Sequence, residues 1–147
     1  MTSSSGGDRL KSHLDSIARG LASAKSVRVG FLEDARYEDG TLVALVAAAN
    51  EYGSPPKRPP RPFFRQLIGE KSGGWSKGIV QALKDNDYNS AVALDLTGAV
   101  VKGQLQEKIN TYVGPPLAQS TIDRKGFDKQ LIDTSVMLNS VDYQVKT

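Results

Sequence analysis

The stretch EYGSPPKRPPRPFFR, Glu51–Arg65, organises the rest of the chain. It contains five of the seven prolines, at positions 55, 56, 59, 60 and 62, and it ends next to an adjacent pair of phenylalanines. Proline fixes φ, removes a backbone donor and disfavours helix in the preceding residue, so the segment is predicted to form an extended, polyproline-like strap. Gly53 is placed to end one helix and Pro62 to open the next, which predicts a helix, strap, helix arrangement.

The strap has two interpretations that the residues alone leave open. One is a rigid connection between two helices of the same domain. The other is a surface that meets another chain, because a stiff segment with few donors, several cations and an aromatic anchor suits such a contact. The candidate interface residues are Arg58, Pro60, Arg61, Pro62, Phe63, Phe64 and Arg65.

Composition indicates one ordinary globular domain. The chain has 147 residues, of which 39% are hydrophobic and 24% charged, so residues 8–147 are expected to form a single domain behind a flexible N-terminal arm, Met1–Gly7. The absence of cysteine excludes disulfides and thiolate metal sites. No apolar run has the length of a membrane span, and the first residues lack the pattern of a signal peptide, so we expect the protein to be made and kept in a cytoplasm, without membrane contact.

The N-terminal third predicts a helix, a strand and a second helix. Asp8 is expected to cap an amphipathic helix that packs by one apolar stripe. The run SVRVGFLE, from Ser26, alternates like a half-buried strand. Thr41 is expected to cap an apolar helix that leads into the strap. The residues of the first stripe are Leu10, Leu14, Ile17, Ala18 and Leu21.

The segment after the strap predicts two helices with a break between them. We expect helix over Phe63–Lys71, a break at Ser72–Gly74 and helix again over Trp75–Lys84. The longest helix is expected at Tyr88–Tyr112 as the spine of the core. Gly98 and Gly103 would allow it close neighbours, and Val92, Leu96 and Val100 would widen its buried line.

The last third predicts short helices and a terminal strand. Leu117–Lys125 is expected to be a short helix or turn and Leu131–Asn139 a short helical piece, and SVDYQVK alternates like a strand that pairs with Val27–Leu32. The fold class is therefore α+β: a small antiparallel sheet packed against a long helix and several shorter helices, with a proline-rich extended strap.

The residues that carry chemistry in enzymes are largely missing. The chain has one histidine, no glycine-rich phosphate loop and no serine in a nucleophile elbow, so we expect neither an enzyme nor a bound cofactor or metal. The cations Lys57, Arg58, Arg61 and Arg65 form a candidate phosphate-binding set. The alternative is that these cations solubilise the strap or pair with acids on a partner.

Two blocks of sequence resemble a viral family. The run AANEYGSPPKRPPRPFFRQLI is similar to a pattern in neck and tail-completion proteins of long-tailed bacteriophages, in which Glu, an aromatic residue and Gly precede an Arg-Pro-Phe run. The later run PPLAQSTIDRKGFDKQLIDTSVMLNSVDYQV resembles the second block of that family and of virion morphogenesis proteins. Ser135 departs from the pattern, since the family usually has glycine there.

The resemblance implies a structural virion protein, made in the host cytoplasm and located in the neck or tail. Its expected form is a ring at the junction of head and tail, with six subunits favoured over twelve, in a tail-completion, connector or tail-terminator role. Its expected partners are the head-tail connector and the tail tube or terminator proteins, with non-specific contact to packaged DNA. Two alternatives stay open: a nucleic-acid-binding module that uses the basic strap, and a morphogenesis factor absent from the mature virion.

Overall fold

The computed structural model describes residues 6–53, 59–112 and 136–147. In these ranges two strands and five helices follow one another, and the predicted α+β class is confirmed. The elements are α1 (Gly6–Leu21), β1 (Ser26–Phe31), α2 (Val43–Tyr52), α3 (Phe63–Asp85), α4 (Ser90–Thr111), α5 (Val136–Asn139) and β2 (Val141–Lys146).

The sheet joins the beginning and the end of the chain. Strands β1 and β2 are antiparallel, and their register pairs Val27 with Val145 and Phe31 with Val141. The prediction that SVDYQVK pairs with the first strand is therefore confirmed. Alternate residues of a strand point to the same face, so the sheet presents an apolar face to α4.

Helix α4 is the spine of the core, as predicted. Asn89 caps it by accepting a hydrogen bond from the N–H of Val92. A Cβ at Gly98 would overlap the ring of Tyr143 and a methyl group of Val27, so a glycine is required where the helix crosses the sheet. The same expectation for Gly103 is wrong within the described part of the chain, because a Cβ there would meet none of its atoms within 4 Å.

One face of α4 remains at the surface. Val92, Leu96 and Val100, which were expected to widen the buried line, have exposed fractions of 39%, 47% and 57%. Their i, i+4, i+8 spacing places them on one face, away from the sheet. Periodicity predicted an apolar face correctly, but which faces are covered depends on the neighbouring elements.

Helix α3 is continuous, so the predicted break at Ser72–Gly74 is wrong. A glycine in a helix costs only about 1 kcal/mol relative to alanine, which tertiary packing can offset. Along α3, Leu67 is buried in the core and Trp75 donates a hydrogen bond from Nε1 to Oε1 of Gln104 on α4, at 2.6 Å. With 23 residues α3 is also longer than α4, with 22, so the predicted longest helix is wrong as well.

The main core lies between α2, α3, α4 and the α5–β2 end of the chain. Its buried members are Val43, Ala47, Phe63, Leu67, Leu105, Ile109, Tyr112, Met137 and Val141. Helix α2 buries one face here, and its start is capped by no side chain, so the predicted cap at Thr41 is wrong. Within the described residues, the core therefore gathers both ends of the strap and the C-terminal strand.

Helix α1 is attached by its C-terminal end. Ser90 Oγ lies 3.0 to 3.1 Å from the carbonyl oxygens of Gly20, Leu21 and Ala24, and it accepts a hydrogen bond from the N–H of Ala24 at 2.9 Å. A Cβ at Gly20 would lie 2.7 Å from the carbonyl oxygen of Tyr88, so α1 meets the turn before α4 closely. This junction fixes the root of the helix to the rest of the domain.

The remainder of α1 presents its apolar stripe to solvent. Leu10, Leu14 and Leu21 have exposed fractions of 58%, 54% and 45%. The prediction that α1 packs by this face is therefore wrong for these three residues. The helix also begins at Gly6, so Asp8 lies in its first turn and does not precede it as a cap.

Several predictions lie outside the described residues. They concern the start of the N-terminal arm, the centre of the strap with Lys57 and Arg58, the helix expected at Leu117–Lys125, the first part of the helix expected from Leu131, and Ser135.

Candidate subunit interface at the strap

The two ends of the strap are joined by one buried carboxylate. The side chain of Glu51, in the last turn of α2, is only 9% exposed. It accepts hydrogen bonds from the backbone N–H groups of Phe64 and Arg65, each at 3.0 Å. These amides belong to the first turn of α3, where free N–H groups and the helix dipole favour a negative charge. Glu51 thus acts as a cap for α3 from a different helix.

Arg65 completes this contact. Its Nε donates to Glu51 Oε1 at 2.9 Å, and its Nη2 donates to the backbone carbonyl of Glu51 at 2.8 Å. The guanidinium carbon also lies 5.2 Å from the ring centroid of Tyr52, within the range of a cation–π contact. We call the pair Glu51 and Arg65 the strap clamp, because together they hold the end of α2 against the start of α3.

Backbone hydrogen bonds reinforce the clamp. Gly53 ends α2 with φ of 69°, and its N–H donates to the carbonyl of Ala49 at 2.9 Å. On the other side of the strap, the N–H of Arg61 donates to the carbonyl of Asn50 at 2.6 Å. Helix α3 begins at Phe63, as predicted for Phe63–Lys71, and Pro62 is its N-cap residue, one position before the helical position expected for it. The described ends of the strap are therefore fixed within the subunit.

The two phenylalanines lie at different depths. Phe63 is 1% exposed, and its ring meets Phe31 of β1 edge to face, with centroids 6.4 Å apart. Phe64 is half-buried, with its ring centroid 6.1 Å from that of Phe63. Phe63 therefore belongs to the core of its own subunit. For this residue the structure favours the interpretation of the strap as a connection within one domain.

Arg61 points inward from the strap and is half-buried. Its Nε is buried and has no hydrogen-bond partner among the described residues. The charge of Arg61 also affects the pKa of the nearby phenol of Tyr112. Burial raises the pKa of Tyr112, the positive charge of Arg61 acts to lower it, and the negative charge of Glu51 acts to raise it.

Among the described residues of the strap and its flanking helices, an apolar patch with one cation remains exposed. Leu45, Tyr52 and Ile68 have exposed fractions of 63%, 67% and 42%, and the side chain of Arg65 is 56% exposed. A shallow groove between α2 and α3 runs through this area, lined by Ala44, Ala48 and Phe64 among others. We call Leu45, Tyr52, Ile68 and Arg65 the strap patch.

The predicted interface residues are thus only partly available to a neighbour. Pro60 and Arg65 are exposed, whereas Arg61, Pro62 and Phe64 are half-buried and Phe63 is fully buried; Arg58 lies outside the described residues. The candidate phosphate-binding set is similarly divided. Arg65 is engaged with Glu51, Arg61 is half-buried, and Lys57 and Arg58 are not described.

Sequence reasoning missed the roles of Glu51, Leu45 and Ile68. The clamp joins residues fourteen positions apart across a proline-rich segment, and no helical or strand period has that length. A carboxylate at the end of one helix followed by an arginine in the first turn of the next is the signal that was present. Leu45 and Ile68 belong to apolar helices, so composition alone favoured burial.

Comparisons and the search for other sites add no further feature. Neither a known family model, nor a curated protein, nor a solved structure matches the chain. Within the described ranges, no group of three histidine or acidic side chains is arranged to hold a metal ion. None of the helices in those ranges combines the length and apolar character needed to cross a bilayer.

Proposed function

We propose that this chain is a structural virion protein of a tailed bacteriophage, one subunit of a ring at the neck where head and tail join. Its neighbours in this role are further copies of itself, the head-tail connector above and the tail tube or terminator below. A sixfold ring is favoured over a twelvefold one, and the role is that of tail completion, connector or tail terminator.

The observation that carries the proposal is the amount of apolar surface left open on a small domain. A single exposed leucine is ordinary, but a group of them on one surface marks a contact with another molecule. Among the described residues three such groups are present: the strap patch, the leucines of α1, and the outer face of α4. The large side chains concerned are Leu10, Leu14, Leu21, Leu45, Tyr52, Ile68, Leu96 and Val100.

The place of the ring rests on the resemblance of the two sequence blocks to neck and tail-completion proteins. The first block has a structural basis in this chain, because its residues Glu51, Gly53 and Arg65 form the strap clamp and the helix end beside it. In a ring with rotational symmetry each subunit presents two different surfaces to its two neighbours. Separate apolar groups on different helices of one chain suit that requirement.

Protein composition of purified particles tests the proposal. Virions produced from a genome that carries this gene are banded by density, and their proteins are quantified by mass spectrometry. We expect the chain in full particles at a copy number that is a multiple of six. Its presence in lysates but not in particles would contradict the proposal and favour a morphogenesis factor.

A gene deletion tests the role at the neck. We expect separate filled heads and complete tails by electron microscopy, with joining restored by the wild-type gene. Deletion that leaves joined, infectious particles would contradict the neck role. Affinity for DNA that falls steeply with added salt, together with absence from particles, would instead favour the nucleic-acid-binding alternative.

A further inference from the structure

The outer side of the α3–α4 pair carries a groove that is not filled by the described residues. Its floor is made by small residues of α3, and its sides by Trp75 and by the exposed face of α4. The apolar and small residues of its lining are Gly74, Trp75, Gly78, Ala82, Leu96 and Val100, and polar side chains such as Glu70 and Gln81 complete it; we call this site the α3–α4 groove. A Cβ at Gly74 or at Gly78 would meet nothing within 4 Å, so the floor is open.

The α1 stripe has the complementary shape. It is a ridge of large apolar side chains, whereas the groove floor consists of glycine and alanine. Small residues opposite large ones let two helices approach closely and interdigitate. The ridge runs from Leu10 to Leu21 and the floor from Gly74 to Asp85, both eleven positions apart, so both are about 17 Å long.

The α1 stripe does not occupy the groove of its own chain. Its root is held at the turn before α4 by Gly20 and Ser90, and its leucines remain about half exposed. Leu96 and Val100 in the groove are exposed to a similar degree. An apolar ridge and an apolar groove are thus both open on one molecule, and the occupant that carries the matching surface is a second copy.

Charge favours one direction of docking. Lys11 follows the first leucine of the stripe, Asp85 lies at one end of the groove, and Glu70 and Lys71 lie at the other. Glu70 is paired with Lys108 at 3.0 Å, so the charge of Lys71 leaves that end positive. An antiparallel arrangement of α1 and α3 brings Lys11 near Asp85, and a parallel one would bring it near Lys71. Opposite charges at the rim of a contact favour the first arrangement.

We infer that the α1 stripe of one subunit docks, antiparallel to α3, into the α3–α4 groove of the next subunit. The two surfaces differ, so the contact is heterologous and repeats from copy to copy until a ring closes. The inference rests on the proposed function only for the closed ring; the contact itself is a property of the purified chain. This contact gives the exposed stripe of α1 a binding partner, which a contact through the strap patch would not do.

Sedimentation of the purified protein over a range of concentrations tests the contact. We expect association of the wild type to increase with concentration. We expect both Leu14→Glu, in the ridge, and Gly78→Gln, in the groove, to weaken association by about tenfold or more. Both sites are open to solvent, so we expect the melting temperature to be retained.

A matched control variant is available on α3. Gly69 is nine positions before Gly78, half a turn away around the helix, and a Cβ there also meets nothing within 4 Å. Gly69→Gln therefore makes the same chemical change outside the groove, and we expect wild-type association. Equal weakening by Gly69→Gln and Gly78→Gln would contradict the docking site.

Mixing the two defective variants tests whether the contact is heterologous. Leu14→Glu keeps an intact groove and Gly78→Gln keeps an intact ridge, so the mixture is expected to form one-to-one pairs and nothing larger. Association of Gly78→Gln alone at the wild-type level would overturn the inference, since it would mean that α1 pairs with itself. No association of the wild type at any concentration would overturn it as well.

A disulfide cross-link tests the direction. The chain has no cysteine, so Ala18→Cys and Gly78→Cys each introduce a single thiol. In the antiparallel arrangement the two positions lie opposite each other, and we expect the mixed pair to oxidise to a heterodimer faster than either variant forms a homodimer. A faster homodimer of either variant would contradict the arrangement. Presence of the chain in virions is measured separately, so failure of this contact and failure of the neck role are distinguishable.

Discussion

The strap clamp and the α1 stripe show opposite ways of using a surface. At the clamp, Glu51 is buried and its carboxylate is matched by two backbone N–H groups and Arg65. On α1, large apolar side chains such as Leu14 remain open although a covering surface of the right shape exists on the same chain. The polar groups of the first region are satisfied within one subunit, whereas the second region is, in our proposal, covered only by a neighbouring subunit.

This difference separates residues that fold the subunit from residues that assemble it. The sequence predicted the strap as an interface because it is basic and rich in proline. Most of its described residues instead contact other residues of the same subunit. The sequence predicted that helix α1 packs against the core by its apolar stripe. In the structure the leucines of that stripe are exposed. Substitutions in the two regions should therefore affect different measurements.

The largest expected effect is at Phe63. Phe63→Ala removes a fully buried ring from the core between β1, α2 and α3, and such changes cost about 3–5 kcal/mol of unfolding free energy. Urea unfolding followed by circular dichroism measures it, with Phe64→Ala as a neighbour that is only half-buried and should cost less. Equal losses of unfolding free energy in the two variants would show that the difference in burial between Phe63 and Phe64 does not determine their contribution to stability.

The next effect is expected at the strap clamp. Glu51→Gln keeps the size of the side chain but removes the charge that both α3 amides and Arg65 contact, and we expect a loss of about 1–3 kcal/mol. We expect Arg65→Ala to cause a measurable loss of stability as well, because its partner carboxylate is 9% exposed.

A double-mutant cycle of Glu51→Gln and Arg65→Ala isolates their coupling. Lys102 and Asp142 lie 3.4 Å apart, with side chains 35% and 52% exposed, and form a more exposed control pair for which we expect coupling near zero. If the coupling energy between Glu51 and Arg65 is no larger than that of the control pair, the clamp does not stabilise the contact between α2 and α3.

Two glycines of α4 give a third comparison. Gly98→Ala forces a methyl group into Tyr143 and Val27, and we expect a loss of about 1–3 kcal/mol. Gly103→Ala places the same methyl group in open space, and we expect a gain of up to about 1 kcal/mol from helix propensity. Thermal unfolding of both variants checks the signs, and a loss for Gly103→Ala would show that this side of α4 is covered in the folded subunit.

The smallest effect on folding is expected on α1. Leu14→Ser changes an exposed side chain, so we expect the unfolding free energy at low protein concentration to stay within about 0.5 kcal/mol of wild type. Association at high concentration should nevertheless fall. A large loss of stability in dilute solution would mean that the stripe is covered within its own subunit, which would erase the contrast with the clamp.

The sequence by itself determined the local elements. Alternation placed β1 and β2, spacing placed α1 and α4, and Gly53 marked the end of α2, because these features depend on backbone geometry and on side-chain period. The pairing of the first and last strands also followed, since two short alternating segments in one small domain have few other partners. The negative search for metal and catalytic sets used residue types alone.

Only the tertiary structure decided which apolar faces are covered and where the strap's charges go. Helix α3 passes through Ser72–Gly74 because contacts with α4 offset the cost of the glycines. Glu51 meets the first turn of α3 because the chain folds back across the strap, a distance that no local pattern encodes. The exposed leucines of α1 and the exposed residues of α4 lie at the helical spacing that the sequence predicts. Their burial, however, depends on which elements pack nearby in space, and sequence periodicity carries no information about that.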